Sequence, residues 1–405
     1  MRIVLTGGWG YGNLGDDAIL NSTITIIKAA YPHCIIDVLT YNIADSKIHE
    51  TKTVHLHKSV HSYVDLGSSE LTYKKLGITY SFNRKLYLLA KRTLVESQFW
   101  CNIKNFKRLS TPALDVIKGA DLLVVAGGGY FNEKWMSNVI SHLVEMTIAI
   151  ELKIPFLVTG PTIGTFADKK LNKLIMNIFR EAKYIYVRDS FSLEQFKIEN
   201  IKSKIIPDIV LSKWNKPINE TIKSEDITIG LIITNKDKNF LERLSQSLSK
   251  YSYSCQRNCS INIIMSRLWK SDFLTSLYVQ KKLETLGITT KLVIPGSFHT
   301  LEKELSECSL VISENLHGLI LATRNGVPII AINDYSVGSP NYKKFISFSL
   351  QVDSKEYVIN NETSVTDIYF KINSAYENTN NFIKKSNKLC ISVKNKSEQF
   401  LAMPI

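Results

Sequence analysis

Residues 3–20, IVLTGGWGYGNLGDDAIL, combine a short apolar strand, a glycine-rich turn and the start of a helix. Glycines allow left-handed backbone angles and close approach of a ligand, and an aspartate is favoured at the positive end of a helix. The spacing matches neither a dinucleotide fingerprint nor a Walker loop, and two carboxylates at a helix start would repel a phosphate. We therefore predict a site for hydroxyl groups, with Asp16 or Asp17 as a general base. The alternative is that both carboxylates cap and charge the helix, and we favour the base role for Asp16 and the capping role for Asp17.

Short apolar runs alternate with helical patterns through the first half of the chain, and the same alternation returns after residue 226. This pattern favours parallel strands with crossover helices. Because 405 residues exceed what one hydrophobic core usually supports, we expect two domains of the α/β class. The polar stretch 213–226 is typical of a linker between them. The predicted strands are Ile3–Leu5, Ile35–Leu39, Leu122–Ala126, Phe156–Thr159 and Tyr184–Val187, then Ile227–Ile233, Ile261–Met265, Thr290–Ile294, Leu310–Ser313 and Pro328–Ile332.

Two further motifs follow predicted strands, at the sheet edge where open α/β folds bind their ligands. The glycines at 127–129 allow a ligand to come near the backbone. Arg188 ends a strand and can grip a carboxylate or a phosphate with paired hydrogen bonds. An equally good interpretation pairs Arg188 with Asp189 or with Asp208.

The sharpest motif is residues 311–319, VISENLHGL, a strand that turns into a helix, with Gly326 at the expected C-cap. This order places His317 in the first helical turn, at the carboxyl edge of the sheet. A lone histidine is usually structural, but one at a strand-to-helix switch is well placed for acid–base chemistry. We therefore predict that His317 is catalytic and opens onto the gap between the domains, facing the N-terminal Gly-Asp turn.

The net charge of +13 is concentrated in residues 73–109, which carry nine basic residues and one acidic residue among many aromatics. Such a segment is typical of peripheral contact with an anionic membrane surface, and equally of a solvated helical face that packs on its own domain. Because no nucleic-acid-binding signature accompanies the charge, we expect no nucleic-acid partner. With no secretory signal, no bilayer-spanning apolar run and scattered cysteines, the expected location is the cytoplasm, including the inner face of the membrane.

Several motifs occur in a fixed order along the chain: Gly12-Asn13-Leu14-Gly15-Asp16-Asp17-Ala18-Ile19-Leu20, Gly127-Gly128-Gly129, Val187-Arg188-Asp189 with Ser192, Pro207-Asp208, Leu316-His317-Gly318 and Gly326-Val327-Pro328. In this order the chain resembles the polysaccharide pyruvyl transferase family from residue 1 to about 350. The resemblance implies a glycosyltransferase-B-like fold of two Rossmann-like domains. It also implies phosphoenolpyruvate as donor and a saccharide acceptor, free or lipid-linked, that receives a pyruvate ketal. Because no metal cluster is evident in the sequence, we expect no metal, and we expect no other cofactor.

The resemblance also assigns roles to parts of the chain. Residues 1–212 form the acceptor-side domain with the basic insert 73–109, residues 213–354 form the donor-side domain, and residues 355–405 form a helical segment that crosses back. His317 and Asp16 are the expected catalytic residues. The expected substrate-binding residues are Gly12, Asn13, Gly15, Gly128, Gly129, Arg188, Arg267, Asn315 and Lys343.

One position departs from the family pattern. Members usually carry an arginine two residues before the histidine, and this chain has Asn315 there. A cationic group expected to help hold an anionic donor is therefore missing. Either Arg188, Arg267, Arg324 or Lys343 takes its place, or this member uses another donor or has lost the activity.

In the implied chemistry, protonation of the donor's methylene carbon lets a sugar hydroxyl attack the neighbouring carbon, phosphate departs, and a second hydroxyl closes the ketal. His317 is then the proton donor or a phosphate ligand, Asp16 takes the acceptor proton, and Arg188 binds donor charge. Two rival classes remain open. One is a nucleotide-sugar-dependent glycosyltransferase of the same fold, and the other is a non-catalytic relative that serves as a binding subunit.

Overall fold

The computed structural model describes residues 1–60, 112–164, 166–215, 226–234, 237–337 and 339–402. The basic segment 73–109 and most of the predicted linker therefore lie outside the described residues. Within those ranges, no helix has both the length and the apolar character needed to cross a lipid bilayer.

The first domain is built on a sheet of seven parallel strands in the order β3-β2-β1-β4-β5-β6-β7. Ile3, Val4 and Leu5 are fully buried in succession, because helices cover both faces of such a sheet. The strands are β1 Arg2–Thr6, β2 Ile35–Thr40, β3 Val54–Lys58, β4 Leu122–Phe131, β5 Phe156–Ile163, β6 Tyr184–Val187 and β7 Lys204–Ile205. The helices are α1 Leu14–Ala30, α2 Ile43–Ser46, α3 Pro112–Lys118, α4 Met136–Glu151, α5 Lys169–Arg180 and α6 Ser190–Ile198.

The second domain repeats this plan with six parallel strands in the order β10-β9-β8-β11-β12-β13. The strands are β8 Ile227–Ile232, β9 Cys259–Ile264, β10 Thr289–Val293, β11 Leu310–Ser313, β12 Ile329–Ile332 and β13 Val358–Ile359. The helices that follow are α7 Lys238–Ser254, α8 Lys270–Thr285, α9 Phe298–Ser306, α10 Leu316–Arg324, α11 Pro340–Gln351, α12 Val365–Glu377 and α13 Thr379–Leu401. Short 3-10 helices lie at Lys47–His49, Glu133–Trp135, Ile209–Ser212 and Lys355–Tyr357.

The predicted α/β class and all ten predicted strands are confirmed. Three strands escaped the sequence pattern, and each has a physical reason. β3 is an edge strand in which buried Val54 and Leu56 alternate with more exposed histidines. β7 and β13 are two residues long and too short to show a periodicity. β13 joins the second sheet just beyond residue 354, where the predicted second domain ends.

Two helices of the C-terminal part, α11 and α13, contact the first domain. The return of α13 confirms the prediction that residues 355–405 cross back. In α13, Phe400 packs its ring against Tyr186 of β6, with 4.0 Å between the ring centroids. The Tyr31 hydroxyl donates a hydrogen bond to the backbone oxygen of Leu401. α11, which precedes α13 in the chain, also contacts the first domain: the Gln351 side-chain amide donates to the backbone oxygen of Arg188 at 2.9 Å.

The glycine-rich turn also joins the two domains directly. The backbone N–H of Leu14 donates to the oxygen of Ser266 at 3.2 Å, and that of Leu268 donates to the oxygen of Gly12 at 2.9 Å. Asn13 and Arg267 form an isolated antiparallel bridge between these bonds. The turn after β1 is therefore fixed to the segment after β9.

Candidate active site

A cleft of about 780 Å³ lies between the domains, at the carboxyl ends of strands from both sheets. This is the edge at which open α/β sheets bind ligands. Its floor and walls include Asn13, Asp16, Gly129, Tyr130, Arg188 and Lys344, together with Thr234, Arg267, Glu314, Asn315, His317 and Tyr335.

The first turn of α1 places Asp16 in the cleft. Asn13 is the N-cap of α1, and its side-chain oxygen accepts a hydrogen bond from the backbone N–H of Gly15 at 3.3 Å. Its amide nitrogen also donates to Oδ2 of Asp16 at 2.6 Å. One asparagine thus starts the helix and orients the carboxylate.

The first turn of α10 places His317 against that same turn. Asn315 is the N-cap of α10, and its Oδ1 accepts bonds from the backbone N–H groups of His317 at 3.0 Å and Gly318 at 3.2 Å. A Cβ atom on Gly15 would lie 2.3 Å from Nδ1 of His317, so the imidazole packs directly on the backbone of α1. The structure therefore brings His317 and the N-terminal Gly-Asp turn together, as the sequence predicted.

Arg188 lies beside the imidazole and is held from two sides. Its Nη1 donates to Oδ2 of Asp208 at 2.6 Å, and its Nε donates to Oγ1 of Thr162 at 2.9 Å. The same Nη1 is 3.5 Å from Nε2 of His317, and Oδ2 of Asp208 is 3.9 Å from that nitrogen. The pairing of Arg188 with Asp208 that the sequence left open is therefore present, and Arg188 lines the cleft.

Lys344 is a cation of the cleft that sequence reasoning missed. A Cβ atom on Gly129 would lie 3.6 Å from Nη2 of Arg188 and 3.8 Å from Nζ of Lys344, so both cations face the backbone at Gly129. We call Arg188 and Lys344 the cation pair. Burial, followed by the charge of Arg188, lowers the pKa of Lys344 to about 7, while Asp16 opposes that shift.

Burial, modified by the charges of the cleft, determines the protonation of His317 and Asp16. Burial lowers the pKa of His317 to about 4, Asp208 opposes this change, and the cation pair adds to it. Enclosure raises the pKa of Asp16 to about 7, although the cation pair favours its carboxylate form. At neutral pH the imidazole of the free protein is therefore uncharged, and Asp16 is close to its midpoint.

Asp17, the neighbour of Asp16, lies outside the cleft. Its side chain is buried, and within the part of the chain that the structure describes its Oδ1 has no hydrogen-bond partner. Burial, followed by the charges of Asp16 and Asp45, raises the pKa of Asp17 to about 7. The capping role expected for Asp17 is wrong, because the helix begins at Leu14 and Asn13 is its N-cap.

The other cationic candidates occupy three different settings. Arg267 lines the cleft, where its Nε pairs with Oδ2 of Asp272 at 2.7 Å. Lys343 lies over the ring of Phe191, with Nζ 4.0 Å from the centroid, rather than in the cleft. Arg324 is fully buried away from the cleft, where it pairs with Glu302 and donates to the backbone oxygen of Val210.

The predicted glycines shape the backbone around the cleft. Gly12 has φ +68° and Gly128 has φ +156°, both in the region that glycine adopts most readily. A Cβ on Gly128 would also lie 2.4 Å from Cε1 of Tyr130. Gly129 is the glycine of this strand end that lines the cleft itself.

Known proteins of similar fold agree with the two-domain architecture. UDP-GlcNAc 2-epimerase from Neisseria meningitidis, solved bound to UDP-GlcNAc, is 11% identical, with a TM-score of 0.56 over 99% of this chain and 98% of that chain. The lipopolysaccharide outer core galactosyltransferase WaaB is 12% identical, with a TM-score of 0.51 over 98% of this chain and 99% of that chain. At these identities the likeness shows the fold alone, which is glycosyltransferase-B-like with two Rossmann-like domains.

Relatedness in sequence is more specific. The chain is 23% identical over 379 residues to the amylovoran biosynthesis protein AmsJ of Erwinia amylovora, which covers 82% of this chain and 83% of that protein. A family model described as polysaccharide pyruvyl transferase matches residues 13–334, a range that contains Asn13, Asp16, Arg188 and His317. The chain therefore belongs to the polysaccharide pyruvyl transferase family.

Proposed function

We propose that this protein transfers pyruvate from phosphoenolpyruvate to two hydroxyl groups of a cell-surface saccharide and forms a ketal. The observation that carries the proposal is the position of the cation pair, with both cations facing the backbone at Gly129 in the cleft that holds His317. Phosphoenolpyruvate carries a carboxylate and a phosphate. Buried Arg188, which is paired with Asp208, and partly buried Lys344 provide two cationic groups for these two anionic groups.

Lys344 can replace the positive charge of the family arginine that Asn315 lacks. The position of the family arginine is occupied here by a helix cap, and its side-chain oxygen is already engaged by two backbone N–H groups. Lys344 reaches the same cleft from α11, which docks on the first domain. In this proposal Lys344 supplies the cationic charge that residue 315 lacks.

The proposed reaction begins with a proton transfer to the donor. His317 donates a proton to the methylene carbon of phosphoenolpyruvate, which becomes a methyl group and leaves a cationic carbon at C2. An acceptor hydroxyl attacks C2 and gives its proton to Asp16. The C2–O bond to phosphate then breaks, a second hydroxyl attacks C2 and gives its proton to the departing phosphate, and the products are the ketal and inorganic phosphate.

The electrostatics of the cleft fit this order of events. The imidazole of the free protein is neutral because burial lowers its pKa to about 4. A bound phosphate would neutralise the cation pair and raise that pKa, and the Asp208 carboxylate 3.9 Å from Nε2 favours the protonated ring in the same way. Donor binding would thus charge the acid that the first step requires.

The proposal is tested with purified protein, phosphoenolpyruvate and a panel of glycans. Phosphate release should depend on the glycan, and the glycan should gain the mass of pyruvic acid less one water. His317→Gln and Asp16→Asn should each slow phosphate release by about 10²- to 10⁴-fold, as expected for loss of a general acid or base. His33→Gln, at an exposed histidine outside the cleft, is the matched control. Unchanged rates in both cleft variants would contradict the assignment.

A nucleotide-sugar-dependent glycosyltransferase is the second candidate, since WaaB, which has a similar fold, is a galactosyltransferase, and the epimerase of similar fold was solved bound to UDP-GlcNAc. The two functions predict different ligands for the cation pair. Thermal-shift titration with phosphoenolpyruvate and with a panel of sugar nucleotides distinguishes them. Stabilisation by a sugar nucleotide alone would favour the second candidate.

A further inference from the structure

Three large aromatic side chains surround the mouth of the cleft. Tyr11 is 41% exposed and Trp135 is 37% exposed, whereas Trp269 is partly buried. All three line the cleft, with Tyr11 and Trp135 from the first domain and Trp269 from the second. We call them the aromatic rim. A group of exposed aromatic residues at a cavity indicates a ligand-binding surface, because large aromatic side chains are mostly buried elsewhere.

Two of the three side chains of the aromatic rim, Tyr11 and Trp269, are held in place by contacts within the protein. The ring of Tyr11 stacks on that of Tyr41, with 4.5 Å between centroids and 28° between planes, and its hydroxyl is hydrogen-bonded to Asn138. The indole nitrogen of Trp269 donates to the backbone oxygen of Tyr11 at 3.2 Å. Such fixed rings lose little conformational entropy when a ligand stacks on them.

Trp135 belongs to the same wall as Tyr11. It directly precedes α4, the helix that carries Asn138, the hydrogen-bond partner of Tyr11. The neighbouring Asn132 donates to the backbone oxygen of Gly129 at 2.6 Å, which connects this wall to the strand end that faces the cation pair. The rim therefore begins where the proposed donor site ends.

Asp16 lies beside the rim. It follows Tyr11 on the same turn, and its charge is close enough to raise the pKa values of Tyr41 and Tyr130, although burial is the larger cause for both. Asp16 and Glu133 line this part of the cleft together with Lys134 and Arg267, which lie 5.5 Å and 4.4 Å over the rings of Trp135 and Trp269. Carboxylates accept hydrogen bonds from hydroxyl groups, and ammonium and guanidinium groups donate hydrogen bonds to hydroxyl oxygens.

We propose that the aromatic rim is the acceptor subsite and that it binds a pyranose ring of the saccharide by stacking. The apolar C–H face of a pyranose packs on an aromatic ring, and its outer hydroxyl groups bond to amides such as Asn138 and to carboxylates. This inference rests on the proposed function, because it assigns the acceptor of that reaction to one end of the same cleft.

The probes are the methyl glycosides of glucose, galactose and mannose, used without phosphoenolpyruvate. Saturation-transfer NMR reports which sugar protons contact the protein, and tryptophan fluorescence gives an affinity. At least one of these neutral glycosides should bind with its ring protons saturated. Trp135→Ala should weaken binding about tenfold, in the range of a lost stacking contact.

Two further variants keep the result interpretable. Trp269→Phe retains a ring at the domain contact and should weaken binding less than Trp135→Ala. Tyr278→Ala removes an aromatic residue of similar exposure, 38%, that lies on α8 outside the cleft, and should have no effect. Absence of binding by every neutral glycoside, or equal binding by Trp135→Ala and wild type, would overturn the inference.

The same samples separate this inference from the proposed function. Stabilisation by phosphoenolpyruvate and phosphate release depend on the cation pair and His317. If the wild type transfers pyruvate while Trp135→Ala binds glycosides normally, the aromatic rim is not the acceptor subsite and the function stands. If glycosides bind through Trp135 but phosphoenolpyruvate neither binds nor reacts, the proposed function fails and the sugar site remains.

Discussion

Gly15 and His317 pack against each other across the domain boundary, so closely that a Cβ atom on residue 15 would lie 2.3 Å from Nδ1 of the imidazole. Cβ and Cγ of His317 would each lie 2.4 Å from the same atom. The glycine is therefore required by the histidine of the other domain rather than by its own backbone angles. Any side chain at residue 15 would therefore push the imidazole of His317 out of its position in the cleft or force the domains apart.

Gly15→Ala should reduce turnover on the order of 10²-fold while leaving the fold intact. Alanine is the better helix former by about 1 kcal/mol, so α1 itself should not be weakened. The added methyl group must instead displace the imidazole or separate the domains, and a displacement of about 1 Å is enough for a loss of this size. Phosphate release and thermal unfolding, measured on the same preparation, check both halves of this expectation.

Gly296→Ala is the matched control, since a Cβ on that residue would have nothing within 4 Å. It should leave turnover unchanged. Full activity in Gly15→Ala would mean that His317 tolerates displacement and is not part of the chemistry.

Much of this arrangement could be predicted from the sequence, because local patterns determine it. The strand before Gly7 and the strand before Glu314 are short apolar runs followed by helix-start residues, and parallel strands bring their carboxyl ends to one edge. The placement of the Gly-Asp turn beside His317 follows once two such sheets face each other. Asp16 and His317 are far apart in the chain, but their places could be predicted because each lies in the first turn of a helix that follows a central strand.

The rest of the site depends on how α11 docks, which no local pattern specifies. Lys343 and Lys344 are adjacent and chemically identical, and the register of α11 against the first domain decides which of them enters the cleft. One available signal was the spacing of Asn341, Lys344 and Phe345, which share a helix face. Trp135 and Trp269 likewise follow no glycine motif and are grouped only by the tertiary fold.

Lys344→Met should weaken the binding of phosphoenolpyruvate by about 10- to 100-fold, the value of a lost hydrogen bond to a charged group. Methionine keeps the length of the side chain and removes its charge. Because the pKa of Lys344 is about 7, wild-type affinity should also fall as pH rises from 7 to 8.5, and the variant should lose that dependence. Titration by thermal shift or calorimetry at several pH values measures both effects.

Lys343→Met provides a control one residue away. Its ammonium group contacts the Phe191 ring, so the change should cost about 0.5–1 kcal/mol of stability and leave donor affinity unchanged. Equal loss of affinity in the two variants would show that general charge, rather than a specific position in the cleft, attracts the donor.

Asp17→Asn should stabilise the protein at pH 8 more than at pH 5. The folded-state pKa of Asp17 is about 7, raised from 3.8. The folded state therefore holds this proton more tightly than the unfolded state, and the stability gained from it is lost as pH rises from about 4 to about 7. Above that window the wild type holds a buried carboxylate that asparagine avoids, a difference on the order of 1–3 kcal/mol. Urea unfolding at the two pH values measures the difference, with Asp115→Asn on an exposed carboxylate as control. An equal effect at both pH values would contradict the shift.

Asn315 is the position at which stability and function make separate predictions. Its Oδ1 caps α10 through the N–H groups of His317 and Gly318, so Asn315→Ala should cost about 1 kcal/mol of stability. Asn315→Asp keeps an acceptor at the same place and should remain close to wild type in thermal unfolding. A loss of equal size in both variants would show that the cap does not depend on the side-chain oxygen.

Asn315→Arg restores the residue usual in the family and decides between an active enzyme and a non-catalytic relative. If the cation pair already holds the donor, the wild type should release phosphate from phosphoenolpyruvate, and the arginine should bring no gain while costing the cap about 1 kcal/mol. Combining Asn315→Arg with Lys344→Met should then recover part of the lost donor affinity, because the new guanidinium enters the same cleft. Phosphate release that appears only after the arginine is introduced would identify the natural chain as a binding subunit.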